Sequence, residues 1–289
     1  MKLNLQKTLI ASLALLVSLC SWAQTDFQGV AHYMSKTSIN TENFGRPDMS
    51  EEQKKRIAER MKSMFEKTYT LTFNQTESLY KEDETLEAPG QDQGRRGFGA
   101  MMSSSFTGGP EYKNVKTNQL LQEQEFFGKQ FLVKDTLPKY EWQMTGETKQ
   151  IGQYTCFKAT ATIKSTAVGF EDFRPPRREE GEEAKEEETK PKEPKSVDIV
   201  AWYTMQIPVN QGPADYWGLP GLILEVNAGK TTILCTKIVV NPEEKTTIKE
   251  PKKGKEVSKE EYNEIVKKKT EEMRNNFRNR RNGPGGNRR

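Results

Sequence analysis

The chain has 289 residues, 33% hydrophobic and 30% charged, with a formal net charge of +4. That is polar for its length, so part of the chain must stand outside any core. The charge is small and unevenly spread, which gives little ground for a polyanionic partner, and a single histidine excludes His-rich zinc or copper sites.

The first residues read as targeting. Lys2 and Lys7 supply a positive start, residues 9–19 an apolar stretch, and Ser21-Trp22-Ala23 a small-x-small cleavage site. The expectation is a signal peptide over 1–23, cleaved after Ala23, and an exported protein that is periplasmic or associated with the outer membrane. The apolar stretch is too short to span a bilayer, and no later segment is long and apolar enough to do so. Cys20 follows Leu19, where a lipoprotein signal would carry a small residue, so lipidation is not expected.

A single β-rich domain is expected over 24–240. Residues 25–37 alternate as a strand. Ser50-Glu51-Glu52-Gln53 is a capping box, and Ile57, Met61, Met64 and Phe65 recur at helical spacing, which predicts one packed amphipathic helix over about 50–66. Strands are read at 68–74 and from 78. Residues 82–110, rich in Gly, Gln and Ser, read as a flexible insertion. Short strands follow at 112–121, 123–127, 129–134, 140–144 and 153–164, the pattern of a β-meander. A second flexible insertion spans 171–196, where charge and proline replace apolar residues. Strands resume at 198–208, 222–226 and 231–240, the last two joined by a hairpin with Gly229 at its turn. Residues 241–289 read as a basic tail, with fifteen basic and nine acidic residues. It opens with a capping box at Ser258 and Glu261 and carries Tyr262, Ile265, Val266, Met273 and Phe277 at helical spacing. The fold class expected is α+β: a predominantly antiparallel sheet, a curved meander or half-barrel, with one packed amphipathic helix and a C-terminal helix.

No residue pattern points to catalysis, a cofactor or a metal. His32 has no G-x-S-x-G elbow to serve and sits in a strand pattern. The Gly-rich stretch near residue 100 lacks a G-K-[ST] ending, and the glutamates of 179–188 lack the spacing and glycine turn of a calcium loop. Cys156 and Cys235 remain after signal cleavage, and an oxidising compartment predicts a disulfide between them. The most distinctive segment is "NQGPADYWGLPGLILEV", residues 210–226. Leu219-Pro220-Gly221-Leu222 suits a type II turn, with Gly221 at positive φ. Tyr216 and Trp217 before it are either a ligand platform or aromatic packing under a loop.

Residues 218–223, Gly218, Leu219, Pro220, Gly221, Leu222 and Ile223, spell "GLPGLI". With "FLVKD", "KQIGQYTCFKATA" and "AWYTMQIP", which occur in order before it, the chain resembles the GLPGLI family of exported Bacteroidota proteins. The resemblance implies export, no assigned enzymatic activity and no established ligand. A looser likeness in pattern is to the curved half-barrels of periplasmic lipoprotein carriers, a fold-level analogy only. The expected function is non-enzymatic: binding of an apolar ligand in the sheet's concavity or docking on an outer-membrane protein partner, with nucleic acid not expected. The alternative is a structural or assembly factor that binds proteins through its charged loops and C-terminal helix. An apolar pocket lined by the sheet would favour the first, and a filled interior the second.

Overall fold

The computed structural model describes residues 27–38, 50–53, 55, 65–83, 106–165, 195–244 and 246–282. The expected signal peptide, most of the 50–66 helix, and most of the 82–110 and 171–196 insertions lie outside these residues, as do the last seven. Of the first helix, the capping box is in view. Gln53 N donates to Ser50 Oγ at 3.3 Å and Ser50 N to Gln53 Oε1 at 3.2 Å.

Among the described residues twelve strands form one sheet in the order β12-β6-β5-β4-β3-β2-β1-β11-β10-β9-β8-β7. The first run is β1 (Gln28–Thr37), β2 (Glu66–Asn74), β3 (Glu77–Glu82), β4 (Phe106–Asn114), β5 (Gln119–Phe126) and β6 (Lys129–Thr136). The second is β7 (Gln143–Ile151), β8 (Tyr154–Ser165), β9 (Lys195–Thr204), β10 (Leu222–Ala228) and β11 (Thr231–Val240). Each run is an antiparallel meander, and the two are joined where β11 pairs with β1. β12 (Lys255–Ser258) then adds to β6 in parallel, and helix α1 (Lys259–Asn282) follows it directly.

This connectivity bends the sheet. From β6 to β7 the chain has six linking residues, 137–142, which reach about 25 Å at full extension. In a flat sheet the same two strands, ten positions apart, would lie about 48 Å from one another. The sheet must therefore curl to bring β7 back toward β6, and it acquires an inner face.

Alternation places Ala31, Tyr33, Leu71, Phe73, Ile199, Ala201, Tyr203, Ile223 and Val226 in one buried cluster on that face. A second cluster joins Phe126, Phe131, Val133 and Val257 to Tyr262 and Val266 of α1. On the other face, Tyr112, Leu121 and Leu132 are covered with Leu79 and Ile248. The α1 capping box forms as its sequence predicts, with Glu261 N to Ser258 Oγ at 3.1 Å and Ser258 N to Glu261 Oε2 at 3.0 Å.

Several boundaries differ from the sequence reading. The strand expected at 112–121 is two strands, because the Asn114 carboxamide accepts from the N–H groups of Lys116 and Thr117 and Asn118 takes φ 55°. That Asx-type turn reverses the chain. Residues 106–110, expected in a loop, belong to β4. The strand expected at 140–144 begins only at Gln143 and runs to Ile151, bulged around Gly146 at φ 77°. The 198–208 strand ends at Thr204.

A loop seated across the sheet

Residues 205–221, between β9 and β10, do not run along the sheet's rim. They fold over the inner face and reach β4, five strand positions from β10. The loop closes on itself through Gly218 N to Asn210 O at 3.2 Å, Leu222 N to Ile207 O at 2.9 Å and Ile223 N to Gln211 O at 3.0 Å. Ile207, Val209, Pro213 and Leu219 are buried apolar side chains of the loop. Tyr33 of β1 donates its hydroxyl to Ile223 O at 2.7 Å, pinning the loop's exit to the middle of the sheet.

The far contact is made by Lys113, which is fully buried. Its ammonium donates to three carbonyls of the loop: Gly212 O at 2.6 Å, Ala214 O at 2.5 Å and Tyr216 O at 3.0 Å. Three donors meet three acceptors, so the buried cation is fully hydrogen-bonded without a direct carboxylate partner among the described residues. Ala214 takes φ 48°, a conformation costly for a residue with a Cβ, and presents its carbonyl to the ammonium. Burial holds the Lys113 amine below its ordinary pKa, opposed by Glu111 and Asp215. Glu111, on the same face of β4, accepts from Gln122 Nε2 at 2.6 Å. Burial first, and Asp215 second, push its carboxyl well above the carboxylate range.

The signature residues lie in this loop, and their geometry corrects the expected turn. Gly221 is not at positive φ; Gly218 is, at 91°. What Gly221 provides is closeness. A Cβ there would lie 2.1 Å from Thr204 O and 2.6 Å from Thr204 C. Gly212 is confined too, though less tightly, with Tyr216 O and Ile223 Cδ1 each 2.8 Å from an added Cβ. Leu219, Leu222 and Ile223 are buried in the core, while Gly218 and Pro220 are exposed.

Tyr216 and Trp217 are half-buried and held by neighbours. Trp217 Nε1 donates to Pro138 O at 2.7 Å, and Trp142 Nε1 to Trp217 O at 2.9 Å. The Tyr140 ring stacks on Trp142 at 5.1 Å and lies 5.6 Å from Tyr216. These rings tie the loop to the 137–142 linker that the sheet's curl requires.

The disulfide expected between Cys156 and Cys235 is not formed; both are buried free thiols. They stand on β8 and β11 with β9 and β10 between them, about 14 Å of sheet before curvature, against the 5.5–6 Å Cα separation typical of a disulfide. Burial pushes the Cys156 thiol up to about 11 and the Cys235 thiol up to about 12, which keeps both protonated and unreactive. His32 is half-buried on β1, with Nδ1 3.1 Å from Thr70 Oγ1, whose hydroxyl donates to Asp83 at 2.6 Å.

Sequence reasoning missed Lys113, because a lysine in an alternating strand ordinarily faces solvent. Its only signal was parity: Lys113 shares a strand face with Glu111 and the opposite face from Tyr112, which a two-sided core can bury as well.

The fold and loop define a large open, mostly antiparallel β-sheet protein whose inner face is covered by its own chain. Residues 142–225, from just before β7 into β10, match the family described as "Protein of unknown function (Porph_ging)". No curated protein matches the chain. Among solved structures, PNGF-II in a C2 crystal form is similar, with 13% identity and a TM-score of 0.46 over 83% of this chain and 32% of that one. Its P21 form gives 14% identity and a TM-score of 0.43 over 84% and 33%. The chain thus spans about a third of the length of PNGF-II.

Proposed function

We propose that this is an exported, non-enzymatic protein with a structural or assembly role, which binds protein partners from its outer surface and does not carry an apolar ligand. The reading rests on one observation: residues 205–221 occupy the inner face and are fastened to β4 through Lys113. A carrier needs enclosed apolar space of some hundreds of Å³ lined by its sheet. Here loop 205–221 takes that place on one part of the inner face and α1 on another. The cavity of about 280 Å³ beside Thr70, Thr72, Leu79 and Lys81 lies on strand positions that alternate away from the buried Leu71, Phe73 and Tyr80. Export and cleavage after Ala23 are supported by the first 23 residues and by the "GLPGLI" resemblance.

Native mass spectrometry of the protein purified from its own host tests this. The expected mass is that of the chain from Gln24 with no lipid bound. A stoichiometric adduct of lipid size would overturn the assembly reading and restore ligand carriage.

A further inference from the structure

The seat of the crossing loop contains an unusual concentration of buried polar atoms. Ser78 and Gln211 are fully buried and Tyr80 is nearly so. Glu111 is half-buried, but its Oε1 is sealed from solvent. Among the described residues, Ser78 Oγ, Tyr80 OH, Glu111 Oε1 and both ends of the Gln211 carboxamide meet no hydrogen-bond partner. Since both amide ends are unpaired, turning the carboxamide over does not remove the problem.

All these residues adjoin the Lys113 clasp. Ser78 lies opposite Lys113 across β3 and β4, Tyr80 lies opposite Glu111, and Gln211 precedes Gly212, whose carbonyl the ammonium holds. Buried polar groups are almost always paired, and a cluster of exceptions marks something that pairs them. The chemistry of the set limits what that is. The Gln211 amide nitrogen needs an acceptor, which a metal cation cannot be, and the hydroxyls can donate or accept. Glu111 Oε1 and the Gln211 oxygen are best met by a donor, and Asp215 beside Glu111 disfavours an anion. The ligand must both donate and accept, carry no charge and be very small.

We infer that a cluster of water molecules is sealed between β3–β4 and the crossing loop, anchored by Gln211, as a built part of the loop's seat. Buried waters ordinarily make about three hydrogen bonds each, so two or three molecules would satisfy the five atoms. The inference rests on the filled inner face proposed above.

A crystal structure of the full mature chain at about 1.3 Å resolution, with Gln211→Leu alongside, tests it. Expected are ordered solvent peaks within about 3.2 Å of the Gln211 carboxamide, Ser78 Oγ and Glu111 Oε1. In Gln211→Leu those peaks are lost or displaced and the Tm falls by about 3–6 °C, because neighbouring groups lose their bridge. A loop seated as described, with Gln211 dry and its leucine variant melting at or above the parent, would overturn the water site alone. A loop lifted off β4 would instead overturn the filled-face reading.

Discussion

Among the described residues two segments cover the inner face of this sheet, and they hold on by different physics. Helix α1 lies on β6 and β12 through interdigitated apolar side chains: Tyr262 packs edge-on against Phe131 with centroids 5.5 Å apart, and Val266 is buried with Val133 and Val257. Such packing tolerates replacement by residues of similar shape. The crossing loop is held by positions that admit little substitution: a glycine against backbone at Thr204, another against Ile223, and one ammonium shared among three carbonyls. The helix needs a pattern, whereas the loop needs particular residues.

The largest effect should come from Gly221→Ala. Its Cβ would meet the backbone of Thr204, so we expect a loss of at least about 4 kcal/mol in denaturant unfolding. Gly218→Ala is the control, because there only positive φ opposes a side chain and the nearest atom to a Cβ is 3.7 Å away; about 1 kcal/mol is expected. Equal losses at the two sites would show that turn conformation, and not close approach, explains the glycines.

Lys113→Met keeps the side chain's length and removes the three donated hydrogen bonds. The orphaned carbonyls should cost about 3 kcal/mol, with faster hydrogen exchange confined to the loop and β4. A variant as stable as the parent would mean that the ammonium is dispensable and the loop is held by apolar contact alone, like the helix.

On the helix side, Val266→Ala should cost about 2 kcal/mol through lost burial and a small cavity. The volume-conserving swap Met273→Leu, against the same cluster, should cost under about 1.5 kcal/mol. If conservative changes there were as damaging as those at Gly221, the distinction between the two coverings would fail.

A separate effect is electrostatic. The Glu111 carboxyl, pushed up to about 7, binds its proton more tightly folded than unfolded, so stability should fall as pH rises from about 4.5 to about 7. The lowered Lys113 amine acts in the opposite sense and restores stability as pH rises above about 8. Thermal melts from mildly acidic to alkaline pH should therefore pass through a minimum between the falling and the rising limb. Glu111→Gln, which can still meet Gln122, should remove the falling limb. A parent protein with no such limb would mean that the carboxylate is better solvated than its burial implies.

What local pattern could announce was legible in the sequence alone. The α1 and 50–53 capping boxes, the strand alternation of β1, β8 and β11, and the Gly229 turn at φ 58° depend on neighbours within a few positions. The same holds for the predominance of antiparallel strands, since short linked strands fold back on one another. The pairing of β11 with β1, the parallel addition of β12, the curl enforced by a six-residue linker and the passage of the loop to β4 were decided only in three dimensions. So was the role of Gly221: its sequence context suggested a turn, but a backbone atom of Thr204, remote in sequence, sets the requirement. Cys156 and Cys235 stayed unpaired because two strands intervene, a separation that spacing along the chain does not encode. Lys113 is the clearest case, since parity allowed either face to be buried and the sheet's curvature together with the returning loop chose the one that turned an ordinary surface lysine into the clasp of the core.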